Sequence, residues 1–459
     1  MHDFFLYLIA FANVFTMIHL AMYVTGANLY DIAQFRKNAH KKAVSAKSSK
    51  RKARQPLVSV VMSAHNEELG ITRTLDSVRA STYRNVEIIV VDDGSKDRTA
   101  AVVRDYIKHL PHFRTTNYLA RYNRSSTLRR RYVHATVDHK RIVLVTQSNR
   151  GKGAGINNGI ENYAKGQFIM TLDADSLLDP HAIENAVARF KDKTVVGVAA
   201  NVRVMGGNNW LSLLQRFEHM IGYRSKKFFT MTGTEFIVGG VASTYRRSTL
   251  KKVGYYDTDT LTEDIGLSLK IVAKLGNRKK RIIYASDVLA MTEGVQTYRQ
   301  LIRQRYRWKM GMLQNLYKYR SLILSNNSSK YGRGLTLYRL PVAVFSELLL
   351  LISPIILGYI IYLSIAMQSF GILFGAYLTI TAYVLWNVWP DEYYTLRQKV
   401  RMSIFSIFMY IVFYMMDIVQ LLAIFKCIFN YRSIIEGVKG HATWVSPTRA
   451  GTSATQAVA

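Results

Sequence analysis

Two aspartates separated by a single residue, Asp173 and Asp175, follow the apolar run 167–172. Carboxylates with one spacer at a strand end can point the same way and offer oxygen ligands to a divalent cation. Mg²⁺ or Mn²⁺ held there would keep coordination positions open for phosphate oxygens. The Asp-x-Asp pattern is common in proteins, so its interpretation depends on the other groups in the chain.

A second acidic pair, Asp92 and Asp93, ends the apolar run 86–91 and precedes Gly94 and Ser95. Carboxylates at the carboxyl end of a parallel strand can accept hydrogen bonds from a nucleotide base and a ribose hydroxyl. The same four residues also make a good turn. The sequence leaves both interpretations of this pair open.

A glycine-rich stretch lies between the two acidic pairs. Residues 149–159 read NRGKGAGINNG, and their glycines and Lys152 could approach a diphosphate closely. The stretch lacks the eight-residue phosphate-loop pattern, which excludes that class of ATPase. We therefore expect Lys152 and Asp173 to contact the same phosphate-bearing ligand.

A third acidic motif, Thr262, Glu263 and Asp264, precedes the helical stretch 265–275. A carboxylate aimed at a hydroxyl group would act as a general base. The alternative is a helix start, with Thr262 as the N-cap and acids in the first turn.

Gln304, Arg307 and Trp308 lie further along the chain in a strongly basic stretch. An arginine there can neutralise a diphosphate, and a tryptophan can stack on the face of a sugar. The alternative is a basic helix at a membrane surface.

A parallel sheet would bring these motifs together. Apolar runs predict strands at 58–62, 86–91, 141–146 and 167–172, with a helix at 70–80. Strand, helix and strand in succession are typical of an α/β fold that binds ligands at the carboxyl ends of its strands. The basic stretch 113–139 is interpreted as a solvated insertion.

The 459 residues are 49% hydrophobic and carry a formal net charge of +32. Four apolar stretches are long enough to span a bilayer: 4–27, 340–366, 370–389 and 402–425. Nine Lys or Arg and no acid lie between Arg36 and Arg54, directly after the first stretch. This positive-inside pattern predicts a linker, 28–55, that contacts anionic lipid on the cytoplasmic side; we expect no nucleic acid partner.

These boundaries predict a multi-pass plasma-membrane protein whose α/β domain, 56–333, faces the cytoplasm. With the N-terminus outside, four spans would place the tail, 426–459, outside as well. The tail is basic, which favours the cytoplasm, so the side of the membrane on which the tail lies stays open. The single cysteine excludes an internal disulfide and a cysteine-based zinc site. Glu347 and Asp417 lie inside predicted spans, and each is expected to face protein or water, either as part of a polar route or in a local pair.

In this order and at these spacings, the motifs resemble the family 2 processive glycosyltransferases: cellulose, chitin, hyaluronan and poly-N-acetylglucosamine synthases. The resemblance covers about residues 58–316 and implies a GT-A-type, Rossmann-like domain. It places the family's early Asn-Glu on Asn66 and Glu67. The nucleotide-sugar site implied by the resemblance and the strand ends comprises Glu67, Asp92, Asp93, Lys152 and Asp173.

The resemblance places the metal-binding aspartates on Asp173 and Asp175 and the catalytic base on Asp264. It assigns Glu263, Gln304, Arg307 and Trp308 to the acceptor and the diphosphate. Residues 239–269 look most like the poly-β-1,6-N-acetylglucosamine synthases. Three features differ from the wider family: the residues before Asn66, the 113–139 insertion, and the absence of room for a cyclic-dinucleotide sensor domain.

The resemblance implies an inverting enzyme that moves a sugar, N-acetylglucosamine by the subfamily likeness, from a UDP-sugar to a growing β-linked polysaccharide and assists its export. A small accessory membrane subunit is a possible partner. One alternative is transfer of a single sugar to a lipid carrier, and another is a non-enzymatic basic membrane protein. Product size after incubation with a labelled UDP-sugar distinguishes the three.

Overall fold

The structure is a computed structural model that describes residues 2–46, 55–123, 126–137, 140–205 and 209–437. Its ten strands are β1 (Val58–Ala64), β2 (Val86–Asp93), β3 (Arg114–Asn123), β4 (Ser126–Val137), β5 (Lys140–Gln147), β6 (Phe168–Thr171), β7 (Leu177–Leu178), β8 (Val195–Val204), β9 (Ser243–Arg246) and β10 (Arg281–Thr292). They form one mixed sheet in the order β3-β4-β5-β2-β1-β6-β9-β8-β10-β7.

The helices that surround the sheet and extend from it are α1 (His2–Ala46), α2 (Ile71–Arg79), α3 (Thr99–Lys108), α4 (Lys152–Asn162), α5 (Ala182–Arg189), α6 (Trp210–Met231), α7 (Arg247–Val253), α8 (Glu263–Leu275), α9 (Tyr298–Lys318), α10 (Leu340–Ala366), α11 (Gly371–Val388), α12 (Leu396–Ser406), α13 (Met409–Phe429) and α14 (Tyr431–Glu436). A π-helical turn, Gly334–Arg339, runs directly into α10.

Four parallel strands, β5, β2, β1 and β6, form the centre of the sheet. All eight residues of β2 are buried, as expected for a β-branched strand covered on both faces. Separate hydrophobic cores cover the two faces, one packing α2 and α5 and the other α4 and α8. Parallel pairing places the carboxyl ends of these strands at one edge, where the acidic motifs begin.

The strands predicted at 58–62, 86–91, 141–146 and 167–172 are β1, β2, β5 and β6, and the predicted helix at 70–80 is α2. The predicted α/β fold with a parallel sheet is therefore confirmed. The stretch 113–139 differs from the solvated insertion that was expected. Its described residues form a hairpin, β3 and β4, in which β4 pairs antiparallel with β5. Its Thr, Tyr and Val content favours strands, and the edge of β5 offers unpaired backbone groups to extend.

Three helical stretches among the described residues are long and apolar enough to cross a membrane: Leu6–Arg36, Gly334–Ala366 and Met409–Phe429. The span expected at 370–389 corresponds to α11, whose apolar stretch, Leu373–Val388, is shorter. The linker expected at 28–55 begins inside α1, which continues to Ala46 because no Pro or Gly interrupts 27–46. Residues 47–54 and the tail beyond 437 lie outside the described residues.

The span predicted at 402–425 does not coincide with a single helix of the structure. The chain forms α12 first, with a capping box between Thr395 and Gln398, and α12 ends at Ser406 before α13 begins. Trp210 packs edge-on against Phe405 and Phe408 at the break between the two helices. The apolar helix that can span is therefore Met409–Phe429.

Charged contacts hold α1 against the α/β domain. The Asp31 carboxylate lies 2.5 Å from Lys227 Nζ and 3.2 Å from Arg224 Nη1, both on α6. Arg224 also donates to Asn28 Oδ1 at 2.9 Å. These contacts fix the first candidate span relative to the sheet.

Candidate active site

A cavity of about 480 Å³ opens beyond the carboxyl ends of the central strands. Its wall contains ten of the eleven site residues predicted from the sequence: Glu67, Asp93, Lys152, Asp173, Asp175, Glu263, Asp264, Gln304, Arg307 and Trp308. The cavity extends as far as Glu347 on α10 and Gln420 on α13. It therefore connects the strand ends with two of the helices that can cross a membrane.

Asp93 organises the loop that leads from β5 into α4. Its Oδ1 accepts hydrogen bonds from Gln147 Nε2 at 2.7 Å and from the Arg150 backbone N–H at 2.9 Å. Its Oδ2 accepts from the Gly151 N–H at 2.8 Å, and Gly151 has a φ of 85°, which favours glycine. Asp93 thus sets the start of α4, the position from which Lys152 extends.

Asp92 is the predicted residue that does not line the cavity. It is buried, and burial raises the pKa of its carboxyl above the usual value, while hydrogen bonds from Ser95 oppose the rise. The Ser95 contact matches the turn interpretation of this part of the motif. The structure therefore separates the two aspartates, with Asp93 at the cavity and Asp92 beneath it.

Lys152 joins two of the predicted acidic motifs. Its Nζ lies 2.8 Å from Asp173 Oδ1 and 3.4 Å from Glu263 Oε1. Burial alone would lower the pKa of Lys152, but the surrounding carboxylates, Asp173 first, outweigh burial and hold it above its usual value. The ammonium is therefore a fixed positive charge at the centre of the cavity.

The carboxyl of Asp264 has the pKa of a group that can exchange protons near neutrality. Burial, and after it the negative charge of the adjacent Glu263 carboxylate, raise the pKa of Asp264 to about 6. Lys152 and Arg307 oppose this rise through their positive charges. A half-buried carboxylate with such a pKa suits a general base.

Gly240 brings the backbone close to this charged cluster. A β-carbon at Gly240 would lie 3.1 Å from Lys152 Nζ, 3.5 Å from Asp264 Oδ2 and 3.7 Å from Asp173 Oδ1. A β-carbon on the neighbouring Gly239 would meet no atom within 4 Å. Sequence reasoning missed Gly240, although a glycine pair beside a short strand was a usable signal.

Asn315 holds α9 against Thr262, which directly precedes α8, the helix that carries the general-base candidate. Its Nδ2 donates to the Thr262 carbonyl at 3.0 Å and to Thr262 Oγ1 at 3.1 Å. A β-carbon at Gly311 would overlap the Thr262 side chain, and one at Gly266 would lie 2.8 Å from Asn315 Oδ1. Thr262 precedes α8 but makes no capping hydrogen bond with its side chain, unlike the simple helix start considered above.

One face of α9 lines the cavity with Gln304, Trp308 and Met312, which follow each other at intervals of four residues. Arg305 lies behind Trp308, with its guanidinium carbon 4.3 Å from the ring centroid and a 2.6 Å ion pair to Glu218. Gln304 Oε1 is buried and has no hydrogen-bond partner among the described residues. The face therefore offers an aromatic platform next to an unsatisfied amide.

The membrane end of the cavity also carries charge. Glu347 Oε2 lies 2.6 Å from Lys309 Nζ, so this acid of a candidate span is paired and lines the cavity as well. Asp417, the other acid predicted in a span, is absent from the cavity wall. Sequence reasoning assigned no partner to Glu347, because Lys309 lies 38 residues away.

Asp173 and Asp175 are the residues that could hold a divalent cation. Among the residues described, no group of three or more His, Cys, Asp or Glu side chains could bind a metal by itself. Both carboxylates line the cavity, and Asp173 pairs with Lys152, a positively charged side chain that also suits phosphate. Two oxygen ligands fit a hard cation whose remaining ligands come from a phosphorylated substrate and water.

His65 is a further cavity residue that the motifs did not predict. Its Nδ1 lies 3.0 Å from the Asp93 carbonyl, and Asn149 Nδ2 lies 3.3 Å from the same nitrogen. The position follows the end of β1, so its place beside Asn66 was a usable signal. His219 and Tyr223 on α6 also line the cavity, and their helical sequence gave no comparable signal.

Two family models match the part of the chain that builds this cavity. "Glycosyl transferase family 2" matches residues 59–120, and "Glycosyltransferase like family 2" matches residues 117–311. Together they cover more than half of the chain and every predicted site residue. The chain belongs to glycosyl transferase family 2. The family, the enzyme class and the GT-A-type fold predicted from the motifs are thereby confirmed.

Curated relatives of this family 2 glycosyltransferase include poly-beta-1,6-N-acetyl-D-glucosamine synthases. The protein of Staphylococcus epidermidis strain RP62A is 31% identical over 257 residues, which are 55% of this chain and 54% of the relative. The protein of Staphylococcus aureus strain COL is 30% identical over the same shares. The chain thus spans about half the length of the curated relatives it matches.

Solved structures similar to this family 2 chain include the mannosyltransferase PcManGT from Pyrobaculum calidifontis in complex with GDP-Man and Mn²⁺. It has a TM-score of 0.49 and 19% identity and covers 82% of this chain and 100% of that chain. Residues 1–349 of S. aureus TarS in complex with UDP-GlcNAc have a TM-score of 0.38 and 16% identity, covering 60% and 69%.

Proposed function

We propose that this family 2 glycosyltransferase transfers N-acetylglucosamine from a UDP-sugar to a growing β-linked polysaccharide, with inversion at the anomeric carbon. The observation that carries the proposal is the single cavity that holds Asp264, Lys152 and Trp308. A base, a fixed cation and a sugar platform are the groups that such a transfer requires. The names of the curated relatives support the choice of sugar.

The donor would bind at the strand ends. Glu67 and Asp93 line that end of the cavity and would face the nucleotide, although Asp93 already accepts three hydrogen bonds. Lys152 would contact the diphosphate. Asp173 and Asp175 would hold Mg²⁺ or Mn²⁺, which would neutralise phosphate charge when bound. The oxygen ligands beside Lys152 fit such an ion.

The acceptor hydroxyl would lose its proton to Asp264 Oδ as its oxygen attacks the anomeric carbon. The bond from that carbon to the diphosphate oxygen breaks in the same step, so UDP leaves with the electron pair and the configuration inverts. Lys152 and Arg307 would stabilise the negative charge on the leaving diphosphate. The pKa of about 6 leaves most Asp264 ionised at neutral pH, ready to accept the proton.

The growing chain would rest on Trp308 and leave towards the membrane helices. The cavity continues from Asp264 to Lys309, Glu347 and Gln420, which are polar groups in or beside candidate spans. Polar groups at that end of the cavity support a held polymer and assisted export. The competing function, transfer of one sugar to a lipid carrier, needs the same donor site but no exit path.

The proposed enzyme is a multi-pass plasma-membrane protein with its α/β domain in the cytoplasm. Three candidate spans and the basic stretch 36–54 support this orientation, with anionic lipid as the partner of that stretch. Nucleic acid is not a proposed partner, and a small accessory membrane subunit stays a prediction.

Incubation of the purified full chain with a panel of radiolabelled UDP-sugars tests the proposal. We expect long polymer from UDP-N-acetylglucosamine and little product from UDP-glucose. A single labelled sugar on lipid would favour the competing function. Absence of any transfer from every UDP-sugar, by protein that binds UDP, would contradict both.

A further inference from the structure

One interruption of the sheet receives contacts from two segments that are distant in sequence, α1 and the link between α11 and α12. The pairing of β10 with β8 breaks between Tyr284 and Leu289. Within the break, the Ser286 N–H donates to the hydroxyl of Tyr30 on α1 at 3.4 Å. The Ser286 carbonyl accepts from the hydroxyl of Tyr393 at 2.8 Å. Tyr393 belongs to the segment that joins α11 to α12.

A buried ion pair also joins β8 to the link between α11 and α12. Arg203 Nη2 lies 2.6 Å from Asp391 Oδ2, and the two side chains are 13% and 4% exposed. The Arg203 guanidinium carbon lies 5.5 Å from the ring centroid of Tyr393 and 5.2 Å from that of Tyr394. Its Nε donates to Asn201 Oδ1 at 3.0 Å. Removing one charge from such a pair leaves the other charge buried without its partner, which is destabilising. The contact therefore favours one relative position of the two segments.

The strand that carries Arg203 also forms the wall of the active-site cavity. The neighbours of Arg203 on β8, Val202 and Val204, both line that cavity. The Val202 carbonyl accepts from Nδ1 of His219, another lining residue, at 3.3 Å. A shift of the ion pair therefore moves the wall on the side of α6. Lys152, the centre of the donor cluster, lies on a different element, at the start of α4.

We propose that Arg203 and Asp391 form a docking clamp between the α/β domain and the membrane helices, with Arg203 as a positioning residue for the acceptor. This inference rests on the proposed function, because it requires a polymer that passes from the cavity towards the membrane. The clamp keeps the part of the cavity wall that Val202 and Val204 form aligned with α10 and α13 during successive transfers. Its loss releases the polymer early but leaves donor binding intact.

The clamp is tested with Arg203→Met, which keeps the length of the side chain but removes its charge, and with Asp391→Asn. We expect the mean product length to fall roughly 2- to 30-fold, the range of coupling through packed contacts. UDP affinity by calorimetry is expected to stay within about twofold, since the donor cluster lies elsewhere. The matched control is Glu392→Gln, which removes an exposed carboxylate from the same segment and is expected to change neither quantity.

A milder variant, Tyr393→Phe, removes the hydroxyl bond to Ser286 and keeps the ring beside Arg203; it is expected to shorten the product as well. Wild-type product length in Arg203→Met and Tyr393→Phe, with UDP affinity retained, would overturn the clamp. Equal loss of UDP affinity and of product length in Tyr393→Phe would also overturn it, since the contact would then merely support the fold. Failure of the wild-type chain to make any polymer would instead contradict the proposed function.

Discussion

The side-chain amide of Asn315 donates to the backbone carbonyl of Thr262 across 3.0 Å and joins residues that are 53 positions apart in the sequence. Thr262 directly precedes the acids Glu263 and Asp264, and Asn315 lies on the helix that carries Trp308. The bond therefore fixes the general-base candidate relative to the sugar platform.

Replacing Asn315 with Ala is expected to lower the free energy of unfolding by ~1–3 kcal/mol, because buried polar groups at Thr262 lose their partner. Turnover is expected to fall more than stability suggests, on the order of 10-fold or more, through misplacement of Asp264. Thermal unfolding and initial rates measure the two effects. The control, Asn326→Ala, alters an exposed loop. Unchanged turnover in Asn315→Ala would show that the bond does not position the base.

The rate of transfer is expected to rise with pH through about 6 and to level off above it, because Asp264 must be ionised to accept a proton. Replacing Glu263 with Gln removes a negative neighbour that raises the pKa of Asp264, so the rising limb should move to lower pH. Profiles of kcat/KM against pH check both statements. If the rising limb of the Glu263→Gln profile stayed at the wild-type pH, the limb would report the titration of a group other than Asp264.

Asp264→Asn keeps the shape of the side chain but removes its basicity. We expect turnover to fall on the order of 10²-fold or more, with UDP affinity little changed. Initial rates and calorimetry with UDP measure these quantities. Near wild-type turnover in this variant would contradict the role of Asp264 as general base and leave it only a structural role at the start of α8.

Gly240→Ala is expected to weaken donor binding, since the new methyl group would lie 3.1 Å from Lys152 Nζ. Displacing that ammonium disturbs its ion pair with Asp173 and should raise the donor KM on the order of 10-fold. Gly239→Ala is the matched control, because a β-carbon there meets nothing within 4 Å. Similar kinetics in the two variants would refute a crowded site at Gly240.

Chelation by EDTA is expected to abolish turnover, and Mg²⁺ or Mn²⁺ is expected to restore it, because Asp173 and Asp175 offer oxygen ligands beside the proposed diphosphate site. Binding of Mn²⁺ followed by electron paramagnetic resonance gives a readout that does not depend on turnover. Asp175→Asn should weaken that signal. Full activity in EDTA would exclude the cation from the reaction.

Much of the site was predictable from sequence because its residues follow strand ends. Residue type and position after an apolar run place Asp93, Asp173 and Asp175 at one edge of a parallel sheet, since parallel strands align their carboxyl ends. Such signals are local, and they needed no knowledge of how distant segments meet. The same reasoning gave the central strands and helix α2 correctly.

The tertiary structure alone decided contacts between segments distant in sequence. Asn315 meets Thr262, Arg203 meets Asp391 and Lys309 meets Glu347 because packing of helices against the sheet brings them together. No periodicity in the chain encodes these pairs. Hydropathy likewise located an apolar stretch at 402–425, but it gave no sign of the helix break after Ser406, where Trp210 packs against Phe405 and Phe408. Composition sets which segments avoid water, whereas long-range packing decides where each one ends and what it touches.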